Sequence, residues 1–177
     1  MPDAMPDSTA RATPVSRRHT SARKPRGRTP RAPDAIALLR ADHRTVSALF
    51  DEFENARSPS RKKELVAEIC SALSVHTTIE EEIFYPAVQS AMKDHELVPE
   101  ARVEHASVRT LIAQVEGAEP GGDDYDATVK VMAEYVKHHV KEEQTEMFPK
   151  AKASGVDLVA LGERLARRKE ELATSAS

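Results

Sequence analysis

The sequence predicts an all-α fold: an antiparallel up-and-down four-helix bundle with a short fifth, C-terminal helix and a disordered N-terminal tail. Three observations carry that expectation. The 177 residues include 31% charged and only 4% aromatic residues, with no Trp, and long stretches are rich in the helix formers Ala, Leu, Glu, Lys and Arg. Four segments space their apolar residues alternately by three and four, which is the seam of a bundle. One short device, His-x-x-x-Glu followed by a pair ending in an aromatic residue and then Pro, occurs twice.

The tail comes first. Residues 1–33 hold six of the eleven prolines, eight basic and two acidic residues, and one strongly apolar side chain beyond methionine, Val15. Such a segment cannot bury enough surface to offset its ordering entropy, so it is expected to be disordered. The remaining 144 residues hold 18 basic and 27 acidic residues, within a chain that is 40% hydrophobic overall, so one acidic domain with a real core is expected over residues 34–172.

Asp34 is placed to cap a first helix ending near Ala56. Its seam reads Ile36, Leu39, His43, Val46, Phe50, Phe53. Ser58-Pro-Ser60 opens a second helix with the seam Leu65, Ile69, Ala72, His76, Ile79, Ile83, which Pro86 should kink or end. A third helix is expected after Pro99, with His105, Val108, Ile112 and Val115 on its seam, stopped by Gly117 and Pro120-Gly-Gly122. A fourth begins near Asp123–Asp126 and carries Val129, Met132, Val136, His139, Glu143 and Met147, so the bundle helices run to about residue 151. After Ser154-Gly155, a fifth helix over about 156–173 presents Val156, Val159, Leu161, Leu165 and Leu172, and is expected to pack across the bundle. Its basic residues Arg164, Arg167, Arg168 and Lys169 read as a solvated face.

The repeat is longer than one motif. His76–Pro86 (HTTIEEEIFYP) overlays His139–Pro149 (HVKEEQTEMFP), and Asp42-His43 overlays Glu104-His105. The halves are two helical hairpins, each with a His on its first helix and His-x-x-x-Glu on its second. Each of four seams thus carries a His where an apolar residue belongs. Two add a Glu on the same face, because residues four apart stack. One such His would read as a hydrogen-bonded core residue. Four, one per helix, beside two acids that are costly to bury unless paired or bound, read as metal ligands.

Four imidazoles and two carboxylates without a thiolate suit iron, manganese or zinc. Six donors exceed the tetrahedral need of one zinc and suit two metals bridged by Glu80 and Glu143, with positions left open. Iron is the first expectation, because open positions beside N and O donors suit its dioxygen chemistry.

The order His43, His76-x-x-x-Glu80, His105, His139-x-x-x-Glu143, with FYP and MFP after the acids, resembles the hemerythrin-like (HHE cation-binding) domains over about residues 34–151. The resemblance implies an antiparallel four-helix bundle holding two non-haem irons, oxo- or hydroxo- and carboxylate-bridged. It also implies O2 binding, sensing of O2 or iron, or reaction with peroxide or NO. Two departures from the oxygen-carrying members stand out: Arg109 occupies the place of a second helix-three His, and the fourth-helix acid is Glu143 rather than an Asp one residue further on. The expected consequence is two nearly equivalent irons in an open, reactive centre, with Arg109 either supporting a ligand from behind or, as the preferred reading, pointing to solvent.

Other residues read as supporting cast. His138 could pair with Glu142 but is rotated about 100° from the seam, a flank position. Glu81 could replace or assist Glu80, with a surface acid as the plainer reading, and Glu104 reads as an exposed acid beside His105. Tyr85 falls nearly opposite His76 on an ideal helix, so it reads as packing. His19 lies in the tail and His95 in a loop. The lone cysteine, Cys70, excludes an intramolecular disulfide and a Cys-based cluster, and reads as buried and inert.

The function expected is binding or sensing of O2, peroxide or NO. The alternatives are a peroxide- or NO-detoxifying enzyme and an iron-binding or iron-sensing protein. No apolar run reaches transmembrane length and no secretory apolar core is evident, so a cytoplasmic monomer or weak dimer is expected. The basic block RKPRGRTPR (23–31) is at most a weak nucleic-acid contact, since no aromatic residue is interleaved for stacking.

Overall fold

The structure is a computed structural model that describes residues 33–92 and 95–175. The expected disordered tail, its basic block and His19 lie outside the described residues, apart from Pro33. Among the described residues every regular element is helical and no strand is present.

α1 (Ala35–Asn55) starts where the Asp34 side chain accepts from the Ala37 N–H at 2.8 Å. α2 (Pro59–Ile79) is capped by Ser58, with Pro59 at a first-turn position that needs no N–H. A five-residue π-helical turn, Glu80–Phe84, then leads directly into α3 (Tyr85–Ala91). α4 (Leu97–Glu116) starts two residues before the expected Pro99, which sits in its first turn. α5 (Asp123–Glu142) opens on three aspartates, favourable beside the exposed N–H groups. A second π turn, Glu143–Met147, leads into α6 (Phe148–Ala153). Gly155, at φ +79°, ends that segment. α7 (Leu158–Ser175) begins after Asp157, whose carboxylate accepts from the Val159 and Ala160 N–H groups.

Two apolar clusters form the core, on either side of the histidines. α1 gives Ile36 and Leu39 to one, then His43, then Val46, Phe50 and Phe53 to the other. α2 runs in the opposite order: Leu65, Ile69 and Leu73, then His76, then Ile79. α4 gives Val98 and Ala101 to the first cluster, then His105, then Val108, Ile112 and Val115 to the second; α5 gives Tyr125, Val129, Met132 and Val136 to the second, and beyond His139 the second π turn and α6 give Met147, Phe148 and Ala151 to the first. The histidines therefore lie in a polar layer between two dry ones. α1 packs on α2, α4 on α5, α1 on α5, and α2 on α4.

α7 packs along α1, α2 and the first π turn. Leu161 and Leu165 are buried there. Gly162 lies so close to the start of α1 that a Cβ would fall 2.4 Å from the Pro33 carbonyl oxygen, so only glycine fits. The basic face of α7 is not simply solvated, in contrast to the expectation from sequence. Arg168 donates to both Glu82 carboxylate oxygens at 2.7 and 3.1 Å, and Lys169 pairs with Asp42. Arg164 and Arg167 remain exposed.

Candidate metal centre

The polar layer gathers His43, His76, Glu80, His105, His139 and Glu143, none more than 5% exposed. The imidazoles meet edge to edge, with Nε2 atoms 3.1 Å apart for His43 and His76 and 3.2 Å apart for His105 and His139. Glu80 Oε2 lies 3.2 Å from His76 Nε2 and 3.4 Å from His105 Nε2. Glu143 Oε2 lies 3.2 Å from His43 Nε2 and 3.7 Å from His139 Nε2. The donors form two groups, His43–His76–Glu80–Glu143 and Glu80–His105–His139, which share Glu80.

This arrangement fits metal ions. Two nitrogens at about 2.1 Å from one cation, at a right angle, stand about 3.0 Å apart, close to the observed spacing. Glu80 Oε1 and Glu143 Oε2 are buried without a hydrogen-bond partner. For Glu143 Oε2 this means that the short distance to His43 lacks hydrogen-bond geometry. Such orphaned carboxylate oxygens are costly unless a cation takes them up.

Electrostatics point the same way. Burial, then the Glu143 charge, pushes Glu80 well above the usual carboxylate range. Burial also opposes ionisation of Glu143, but the His139, His43 and His76 imidazoles outweigh it and hold the carboxyl at about 2. Burial and the neighbouring His139 lower His105 to about 4. Burial works against the charged form of His139 too, yet the Glu104 carboxylate overcomes it and raises its pKa.

The outer nitrogens are held by a ring of partners that obeys the repeat. His139 Nδ1 lies 2.7 Å from Glu104 Oε2, and His76 Nδ1 faces Asp42, which is Glu104's counterpart, at 3.7 Å. At that distance the latter contact is no direct hydrogen bond, and His76 Nδ1 has no other partner. His105 Nδ1 lies 2.9 Å from Glu81, and His43 Nδ1 lies 3.2 Å from Gln144, which is Glu81's counterpart. Each first-helix His is thus steadied by the residue after the opposite hairpin's Glu. At His105 and His139, where the partner is a carboxylate, an Nδ1–H given outward leaves the Nε2 lone pair facing in; at His43 the partner is the Gln144 amide nitrogen, which donates.

Four expectations are corrected by this geometry. Glu81 and Glu104 are not mere surface acids, since each holds a buried imidazole. Arg109 is 48% exposed, yet donates to Glu81 at 2.8 Å instead of only facing water. Tyr85 does more than pack: its hydroxyl donates to Glu143 Oε1 at 2.9 Å and lies 3.2 Å from His105 Nε2. The cause is the π turn, in which the Tyr85 N–H bonds the Glu80 carbonyl five residues back. The extra residue rotates the next turn of helix by about 100° and swings the phenol inward. Pro86 has no N–H and its ring crowds the preceding turn, which the wider π turn relieves. Phe148 comes after the second π turn in the same way and stacks on His43 at 5.9 Å between ring centroids.

The fourth correction concerns symmetry. The surroundings of the two donor groups are unequal, because Tyr85 and Glu81 on one side correspond to Phe148 and Gln144 on the other. Sequence reasoning gave Asp42 and Gln144 no part in the site and read Lys169 only as one residue of a solvated face. For Asp42 and Gln144 the signal was their register in the repeat, one residue before His and one after Glu. His138 is a flank residue as expected, 3.2 Å from Glu142. His95 is exposed, and Cys70 is buried.

The four imidazoles line a cavity of about 20 Å³, walled otherwise by Val46, Leu73, Val108, Val136 and Val140. It has room for a molecule of two or three atoms and offers no polar side chain apart from Thr77 and the imidazoles.

Residues 34–151 match the family described as the hemerythrin HHE cation binding domain. A DNA nickase from Nostoc sp. is 28% identical over 111 residues, which are 63% of this chain and 31% of that protein. The chain therefore spans about a third of that relative's length. A crystal structure of a hemerythrin HHE cation binding domain-containing protein from Mycobacterium kansasii superposes with a TM-score of 0.72 at 24% identity, covering 81% of this chain and 90% of that one. At that identity the likeness is one of fold.

Proposed function

The chain belongs to the hemerythrin HHE cation-binding family, and from that premise we propose that it holds two non-haem irons and uses them to bind or sense a small oxidant: O2, peroxide or NO. The bundle is antiparallel and up-and-down, a reading supported by the alternating order in which its helices feed the two apolar clusters. His43 and His76 would hold one iron, His105 and His139 the other, and Glu80 and Glu143 would bridge them. The observation that carries this is the pairing of Nε2 atoms at 3.1 and 3.2 Å around two buried carboxylates with unpartnered oxygens.

Bound iron would supply one-electron redox chemistry and open coordination positions. The protein's share is positional. Glu81 and Glu104 fix the imidazoles of His105 and His139 so that their inner nitrogens stay available, and Gln144 orients the His43 ring. The aliphatic wall of the cavity keeps bulk water away and admits only small, weakly polar molecules. The Tyr85 hydroxyl, which donates to Glu143 Oε1, lies on the His105 side, where turning its O–H would offer a hydrogen bond to a bound oxidant.

That last feature favours a second reading, a peroxide- or NO-consuming enzyme. The experiment is to add O2, H2O2 or NO in turn to anaerobically reduced, iron-loaded protein and follow its charge-transfer absorption. A reversible spectrum with O2 supports binding or sensing. Continuous loss of peroxide or NO supports the enzyme. No spectral response to any of them rejects both.

A lesser proposal concerns residues 23–31. Their basic residues, and the name of the DNA nickase relative, support a weak phosphate contact. Its affinity for DNA should fall with salt, by about 0.9 in log K per log salt for each phosphate neutralised, and vanish on deleting residues 1–33.

A further inference from the structure

Glu104, His138 and Glu142 gather on the outer side of the buried layer, contributed by α4 and α5. Their donor atoms lie within 4.8 Å of one another. His138 Nε2 is 3.2 Å from Glu142 Oε1 and 3.7 Å from Glu104 Oε1. The imidazole is 64% exposed, Glu142 31% and Glu104 17%, so the group opens to solvent and steps inward. Glu104 faces both ways, with Oε2 on His139 Nδ1 at 2.7 Å and Oε1 towards His138.

A crevice of about 10 Å³ adjoins them, lined by Glu104, Glu142, His139 and Glu143 among others. That is room for about one water or one ion. Glu143 is 1% exposed, and its Oε2 has no hydrogen-bond partner. The crevice is thus lined by carboxylate residues of both the outer group and the buried layer. An i,i+4 pair on a solvated face would account for His138 and Glu142. It would not account for Glu104 converging from another helix, or for the crevice that Glu104 and Glu142 both line.

A hydrated divalent cation cannot enter a dry layer without shedding water, which is costly unless other oxygens or nitrogens replace it. A half-exposed imidazole between two carboxylates offers that replacement in steps. We propose that Glu104, His138 and Glu142 form an outer divalent-cation site, which captures metal from solution and passes it along the crevice to the buried centre. This rests on the buried layer being the metal centre.

The test uses the full chain, stripped of metal by chelator and shown to be helical by circular dichroism, mixed with Fe(II) under anaerobic conditions. His138→Ala and Glu142→Gln should reach the same final iron content as the parent but load on the order of tenfold more slowly. Glu134→Gln, the same charge change as Glu142→Gln at another position of α5, should load at the parent rate. A second measurement avoids stripping: Mn(II) titrated onto protein as isolated, followed by electron paramagnetic resonance, should reveal an additional weak site that both variants lose.

Parent-like loading with no additional Mn(II) site overturns the proposal and leaves the buried centre standing. Equal slowing by Glu134→Gln overturns it too, since the effect would then be one of general charge. A parent chain that takes up no iron at all overturns the buried centre with it, and is distinguished because the final content fails and not only the rate.

Discussion

Tyr85 is the residue on which the two halves of the site part company. Its counterpart, Phe148, has no hydroxyl, so Tyr85→Phe makes the halves alike at this position. The ring that stacks 5.5 Å from His105 stays, and the 2.9 Å hydrogen bond to Glu143 goes. Leaving that buried acceptor short of a donor should lower stability by about 1–3 kcal/mol, read by thermal or denaturant unfolding. Removing one of the proposed metal donors should act differently. His76→Ala or Glu143→Ala should lose iron outright and unfold at lower temperature, because binding free energy of the metal is also folding free energy. A variant that kept its full iron would show that residue not to be a ligand. Cys70 gives a test away from the site. Burial raises its thiol to about 11, so it stays protonated, and slow to alkylate, from neutral pH up to that range, until the chain unfolds. Rapid alkylation of the folded chain at pH 8 would contradict its burial.

At the scale of elements, the two π turns decide most of what the site contains. The seams were legible in the sequence because a bundle helix repeats its apolar residues with a fixed phase, and all six predicted donors fall in the buried layer. The orientation of residues beyond Glu80 was not legible, because each π turn inserts one residue and resets that phase. An ideal helix places Tyr85 opposite His76, whereas the observed one turns it inward. The outer ring of Asp42, Glu81, Glu104 and Gln144 was hidden for another reason. Residues adjacent to a seam point sideways on their own helix and reach an imidazole only across a helix boundary, which single-helix periodicity does not describe. The docking of α7 shows the same limit, since its cations find Glu82 and Asp42 in distant parts of the chain. Gly162 is the close-contact point of that docking. Gly162→Ala should cost about 1–3 kcal/mol by overpacking against Pro33 and Ala35, and should loosen α7 in hydrogen exchange before the rest of the bundle. Unchanged stability and protection would mean that α7 is not packed this closely in solution.

At the scale of the molecule, the architecture is a dry bundle interrupted by one polar layer. Two apolar clusters hold the helices on either side of it, so the donors are positioned by elements that fold around them. A layer with four imidazoles and two acids is a poor core unless something neutralises and bridges them. The function of the chain therefore turns on what occupies that layer in the purified protein. The most direct measurement is elemental analysis of iron per chain in anaerobically purified protein, with an absorption spectrum before and after air. A di-iron centre predicts about two irons per chain and near-ultraviolet charge-transfer bands that develop on oxidation. A folded, helical chain that holds little iron even after reconstitution would contradict it.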